Sequence, residues 1–209
     1  IDKTEWNGIA AYEVNAYYMP TANSINFPAG ILQSPFYDPQ ASRAENLGGI
    51  GYIIAHEITH AFDNQGAQFD KDGNLSNWWT EEDYAAFQQL CDQVVAFYDG
   101  AEVIPGVACN GELTLGENIA DLGAAACVTQ IESEQKDTDM ETLFYAIAQG
   151  WRSVASRESR VYYATVDVHA PDKLRGNRVL QSLDSFYETF DIQPGDGMYL
   201  PPEERVQVW

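Results

Sequence analysis

Apolar positions recur with a helical period from about Ala44 to Asp63, and "DNQG" closes the run, which predicts a helix over that span. Ile50, Ile53 and Ile54 within it are expected to face the core. Upstream, Val14, Tyr17, Tyr18, Ile25 and Phe27 favour strands, and "PTANS" interrupts them like a turn. A short hairpin is therefore expected, with strands near Glu13–Met19 and Ser24–Phe27. Thr80 followed by Glu81, Glu82 and Asp83 marks another helix start, a hydroxyl cap with acids suited to the helix dipole. Phe87, Leu90, Val94 and Phe97 then repeat at helical spacing. "ELTLGENIADLGAAACVTQIE" reads as a helix of small residues that lets a neighbour approach closely. "DMETLFYAIAQGWRSVA" reads as a further helix, and another is expected from about Arg175. The Pro/Gly-rich tail "DIQPGDGMYLPPEERVQVW" is expected to run extended over the surface. Several helices and one hairpin make the expected class α+β, mainly helical, with a small β-sheet near the N-terminus.

Composition narrows this picture. Of 209 residues, 45% are hydrophobic, enough for a real core, and one domain over residues 1–209 is the expectation. A net charge of −21 repels phosphate backbones and argues against nucleic acid as a partner. The longest apolar run, around Ile50 to Ala55, falls far short of the ~20 residues that span a bilayer, so no membrane segment is expected in this chain. Cys91, Cys109 and Cys127 form no C-x-x-C pair and are read as isolated thiols.

The candidate chemistry lies in "His56-Glu57-Ile58-Thr59-His60". Residues four apart share a helix face, so the two imidazoles can aim at one ion, while Glu57 reaches a water beside it. A buried histidine pair needs partners in any case. Zinc wants about four ligands, and an open catalytic site takes three from the protein. Asp63 and Gly66 stand where one zincin class has its glycine and third histidine, which excludes that class. A carboxylate remains, and Glu117 and Asp121, four apart on a small-residue helix, are the best supply. A competing reading makes Thr114 and Glu117 a capping box, which leaves Asp121 unexplained.

Together, "VNAYYMP", "FPAGILQSPF", "HEITHAFDNQGAQFDKDGNLSNWW", "TLGENIADLGA" and "DVHAPDKLRGNRVLQS" resemble the neprilysin-like (M13) zinc endopeptidases, from about Val14 to Trp209. The resemblance implies a zincin-like (gluzincin) domain in which His56, His60 and Glu117 hold one Zn2+. It makes Glu57 the general base, with Asp63 and Asp121 orienting the imidazoles and Asp121 counted in the catalytic set. His169 would stabilise the transition state and Arg175 would meet the substrate carbonyl. Asn15 and Ala16 would hydrogen-bond the peptide backbone. Ile31, Phe36 and Trp151 would line the pocket for the side chain after the scissile bond. The implied activity is zinc-dependent hydrolysis of oligopeptides on the amino side of apolar residues. A zinc-stabilised peptide-binding module without turnover is the alternative. Members of the family also carry a large helical N-terminal portion, absent from this chain and expected as its partner, and the cysteine pattern resembles a bacterial-type, disulfide-poor member.

Overall fold

A computed structural model of the chain describes residue 6 and residues 8–208. Two strands, β1 (Tyr17–Met19) and β2 (Ser24–Asn26), form the antiparallel N-terminal hairpin, with Tyr18 opposite Ile25. The long helical run that follows is broken in geometry though continuous in direction. It comprises α1 (Arg43–Asn46), a π-helical stretch (Leu47–Gly51), α2 (Tyr52–Thr59) and a 3-10 turn (His60–Phe62). A capping box between Ser42 and Glu45 starts it. Then come α3 (Glu81–Tyr98), capped by Thr80 as its sequence implies, and α4 (Leu115–Ser133). The remaining helices are α5 (Met140–Gly150), α6 (Arg157–Val166), α7 (Asp172–Leu180) and α8 (Asp184–Phe190).

The most extensive helix contact is between α2 and α4. Ala120, Ala124 and Ala125 of α4 are almost wholly buried, so small side chains bring the two axes together. Ile119, Val128, Leu143 and Ile147 fill the centre of the core, each contributing about 1.5–3 kcal/mol by leaving water.

Several expectations need correction. Ile53 is buried, but Ile54 is 38% exposed, because α2 turns only one face to the core. The last helical segment starts at Asp172, ahead of Arg175, and breaks at Gln181–Leu183 into α7 and α8. The capping box at Thr114 does not form: its hydroxyl donates to the Asn110 carbonyl (2.9 Å) and accepts from Asn118 Nδ2 (2.8 Å). The tail is not wholly superficial either. Val206 and Val208, two apart, are buried in the core, and Arg205 stacks on the Tyr187 ring at 3.5 Å. A second hairpin, β3 (Glu102–Ile104) with β4 (Val107–Ala108), and α6 add to the elements expected. All three cysteines are free, Cys91 and Cys109 buried and Cys127 exposed. No helix among the described residues is long and apolar enough to cross a membrane.

Candidate metal centre

His56 and His60 project from successive turns at the end of α2, their rings nearly perpendicular (88°) with centroids 4.6 Å apart. Their Nε2 atoms face each other at 3.0 Å. His60 is held from behind. Its Nδ1 lies 2.6 Å from Asp63 Oδ2, while Asp63 Oδ1 accepts the backbone N–H groups of Gln65 and Gly66, both at 2.7 Å. That clamp requires glycine at 66: a Cβ there would stand 1.8 Å from the His60 carbonyl oxygen. Gly116 has a related task at the start of α4. A Cβ there would meet Asn64 Oδ1 at 3.0 Å and Asp63 Oδ2 at 3.4 Å, so its small size lets the next residue reach α2.

That next residue is Glu117. Its Oε2 lies 3.2 Å from His56 Nε2, 3.5 Å from His60 Nε2 and 3.3 Å from His169 Nε2. Yet this buried oxygen satisfies no hydrogen-bond geometry. A buried carboxylate oxygen with three imidazole nitrogens around it and no aligned donor fits the donor set of a divalent cation. Among the described residues, His56, His60 and Glu117 are the group of ligand atoms compact enough to hold one. Two nitrogens and one carboxylate oxygen suit zinc.

Protonation follows the same electrostatics. Burial alone would lower the His60 pKa, but Asp63 and Glu117 outweigh it and hold it up at about 10. His56 behaves alike: burial lowers its pKa, and Asp121 and Glu117 more than reverse the effect. Burial would raise the Glu117 pKa, yet the two histidines pull it far below the usual carboxylate range. Glu57, 5% exposed, is the exception. Burial lifts its pKa above the ordinary 4.5, against the pull of His56 and His60.

Behind His56 sits Asp121, with Oδ1 2.8 Å from Nδ1, although the ring N–H is not aligned with it for a regular hydrogen bond. Arg175 grips the same carboxylate through Nε (2.7 Å) and Nη2 (2.9 Å) and is itself 7% exposed. Arg175 thus stands beside the candidate ligand group with two of its three nitrogens committed to Asp121. His169 donates Nδ1–H to Asp167 Oδ1 (2.8 Å), which turns Nε2 toward Glu117. Asn15 Oδ1 accepts the Ala16 N–H at 2.9 Å.

These groups share one cleft of about 520 Å³. Asn15 and Ala16 from the segment leading into β1, Ile31, Phe36 and Trp151 all line it, together with Glu57, His169 and Arg175. The structure therefore brings every expected site residue to one place, with Asp121 just behind the wall. Sequence reasoning missed Asp167, whose position two residues before His169 was the available signal.

Fold and donor set together define a zincin-like metal-binding domain. Residues 15–206 match the sequence profile of Peptidase family M13. A neutral endopeptidase of Lactococcus lactis subsp. lactis is 49% identical over all of this chain and 33% of its own length. The crystal structure of PEPO from Lactobacillus rhamnosis superposes with a TM-score of 0.95 at 43% identity, covering 100% of this chain and 33% of that one. Mycobacterium tuberculosis zinc metalloprotease ZMP1, solved with an inhibitor, gives 0.92 at 39% identity, with 100% and 34% covered. The chain belongs to Peptidase family M13. It spans about a third of the length of the curated relatives it matches.

Proposed function

We propose that this chain carries the catalytic centre of a zinc-dependent endopeptidase that cuts oligopeptides on the amino side of apolar residues. The observation that carries the reading is the convergence of His56 Nε2, His60 Nε2 and an unsatisfied Glu117 Oε2 from two helices. His56, His60 and Glu117 would hold one zinc ion. When bound, zinc supplies Lewis acidity and a water acidified to a pKa of about 7.

The chain's own residues do the rest. Glu57, raised in pKa and lining the cleft, takes the proton of the attacking water and delivers it to the leaving amine. His169, fixed by Asp167, donates from Nε2 to the oxyanion of the tetrahedral intermediate. Asp63 and Asp121 hold the imidazoles of His60 and His56 in place. An extended peptide lies along Asn15 and Ala16, adding to the β1 hairpin as a further strand. Ile31, Phe36 and Trp151 receive the apolar side chain that follows the scissile bond. Arg175 meets the substrate carbonyl with the nitrogen that Asp121 leaves over. A further portion, such as the longer relatives have beyond the third that this chain spans, would be the partner that completes the cleft.

The test is cleavage of a quenched peptide with Phe or Leu after the scissile bond, with and without chelator. Zinc-dependent turnover supports the reading. Chelator-resistant cleavage, or cleavage undiminished in Glu57→Gln, overturns it.

A further inference from the structure

Tyr52 opens α2, one turn before His56, and is 1% exposed. It does not line the cleft, yet it touches both things the cleft depends on. Its hydroxyl donates to the backbone carbonyl of Asp121 across the α2–α4 contact at 3.2 Å. Its ring meets Trp151 edge-on, with centroids 6.1 Å apart and planes at 72°. On Trp151 lies the Arg175 guanidinium, 3.8 Å from the ring centroid. Arg175 in turn grips both carboxylate oxygens of Asp121, whose Oδ1 stands against His56 Nδ1. The contacts close a circuit: Tyr52 to Trp151, Trp151 to Arg175, Arg175 to Asp121, and Asp121 back to Tyr52.

We propose that Tyr52 is a positioning residue that couples the wall of the substrate side-chain pocket to the metal ligand His56. This rests on reading His56 as a ligand. Three observations carry it. Asp121 Oδ1 stands 2.8 Å from His56 Nδ1, so whatever sets the place of Asp121 also bears on the imidazole. Asp121 has two outside anchors, Arg175 on the carboxylate and Tyr52 on the main chain. Finally, a phenol is a poor choice for a dry interior unless its hydroxyl is needed, and the Asp121 carbonyl is the partner it finds. The same Tyr52 ring supports Trp151 from behind, so a shift of the pocket wall and a shift of His56 share one pivot. Large residues pressing on Trp151 would thereby load the metal ligand through Arg175 and Asp121.

The experiment measures zinc affinity of the folded chain by chelator competition for wild type, Tyr52→Phe, Trp151→Leu and the double variant. Cobalt(II) absorption reports ligand geometry, and melting of the chelated protein reports stability. Groups that directly orient a metal ligand typically change affinity 10–100-fold; one bond further out, Tyr52→Phe is expected to weaken zinc about three- to tenfold. Its cobalt spectrum should change while the melting point of the chelated protein stays near wild type. The double variant should lose less than the product of the single losses, because both act through one circuit. Wild-type affinity and spectrum in Tyr52→Phe, or strictly multiplicative losses, would overturn the proposal. Failure of wild type itself to take up zinc would instead remove the metal-centre reading on which it rests.

Discussion

Arg175 holds Asp121 by both carboxylate oxygens, at 2.7 and 2.9 Å, in a pair almost wholly removed from solvent. Burial would lower the arginine pKa and raise the aspartate one, but each charge more than compensates the other, so both stay ionised. Removing one partner strands the other. Arg175→Met is expected to destabilise the chain by about 3–5 kcal/mol, read from urea unfolding of the chelated protein. Arg175→Lys should recover only part of the loss, since an ammonium cannot form the two-pronged contact.

Glu57→Gln keeps the shape of the side chain and removes its basicity. Peptide turnover should fall roughly 10²–10⁴-fold while zinc affinity stays near wild type, because Glu57 lies outside the compact group His56, His60 and Glu117. Steady-state kinetics beside chelator competition will show whether the two separate.

His169→Phe should lower kcat by about 10²–10³, with a smaller effect on KM, if Nε2 donates to the oxyanion. Asp167→Asn leaves His169 in place but weakens the contact at its Nδ1. A smaller kcat loss in that variant, measured on the same peptide, is the expected outcome.

In the proposed metal centre, zinc and protons compete for the same nitrogens. Without zinc, the folded His60 pKa is raised from the ordinary 6.5 to about 10. The stability it contributes is full below 6.5 and drains away as pH rises through about 10. Glu117 and Asp121 have the opposite sign. Their pKa values are lowered in the fold, so their contribution holds above the ordinary 4.5 and 3.8 and is lost as pH falls below them. The chelated protein should therefore melt lower at pH 9 than at pH 6. Zinc must displace the histidine protons, so the rise in melting temperature on adding it should grow over that interval. Thermal scans with EDTA and with zinc across pH 6–9 check both slopes.

The centre was more legible than the shell around it. Spacing alone places His56 over His60 and Glu117 over Asp121, because a helix repeats its faces whatever surrounds it. Packing is not local in that sense. Ile54 and Ile58 sit two residues out of phase with the histidines and face outward, and α2 is apolar on both sides, so its hydropathy cannot say which side is covered. Helix α6 went unread because its apolar residues Val161, Tyr162, Tyr163 and Val166 favour strands and stay exposed, with only Ala164 buried. The β3–β4 turn did carry a local mark, Pro105 followed by Gly106 with φ near +79°, in strands too short to alternate convincingly. Val206 and Val208 enter the core from a tail whose prolines suggest only extended chain, and burial there depends on a surface built by distant residues.

His60 and Glu117 lie on helices separated by a long stretch of chain that includes all of α3 and the second hairpin. An ion gripped by both is thus a cross-link as well as a reagent, comparable to a disulfide in what it denies the unfolded chain. Stripping it returns that freedom to the whole intervening loop. If the ion is held as proposed, the endurance of the fold follows its supply.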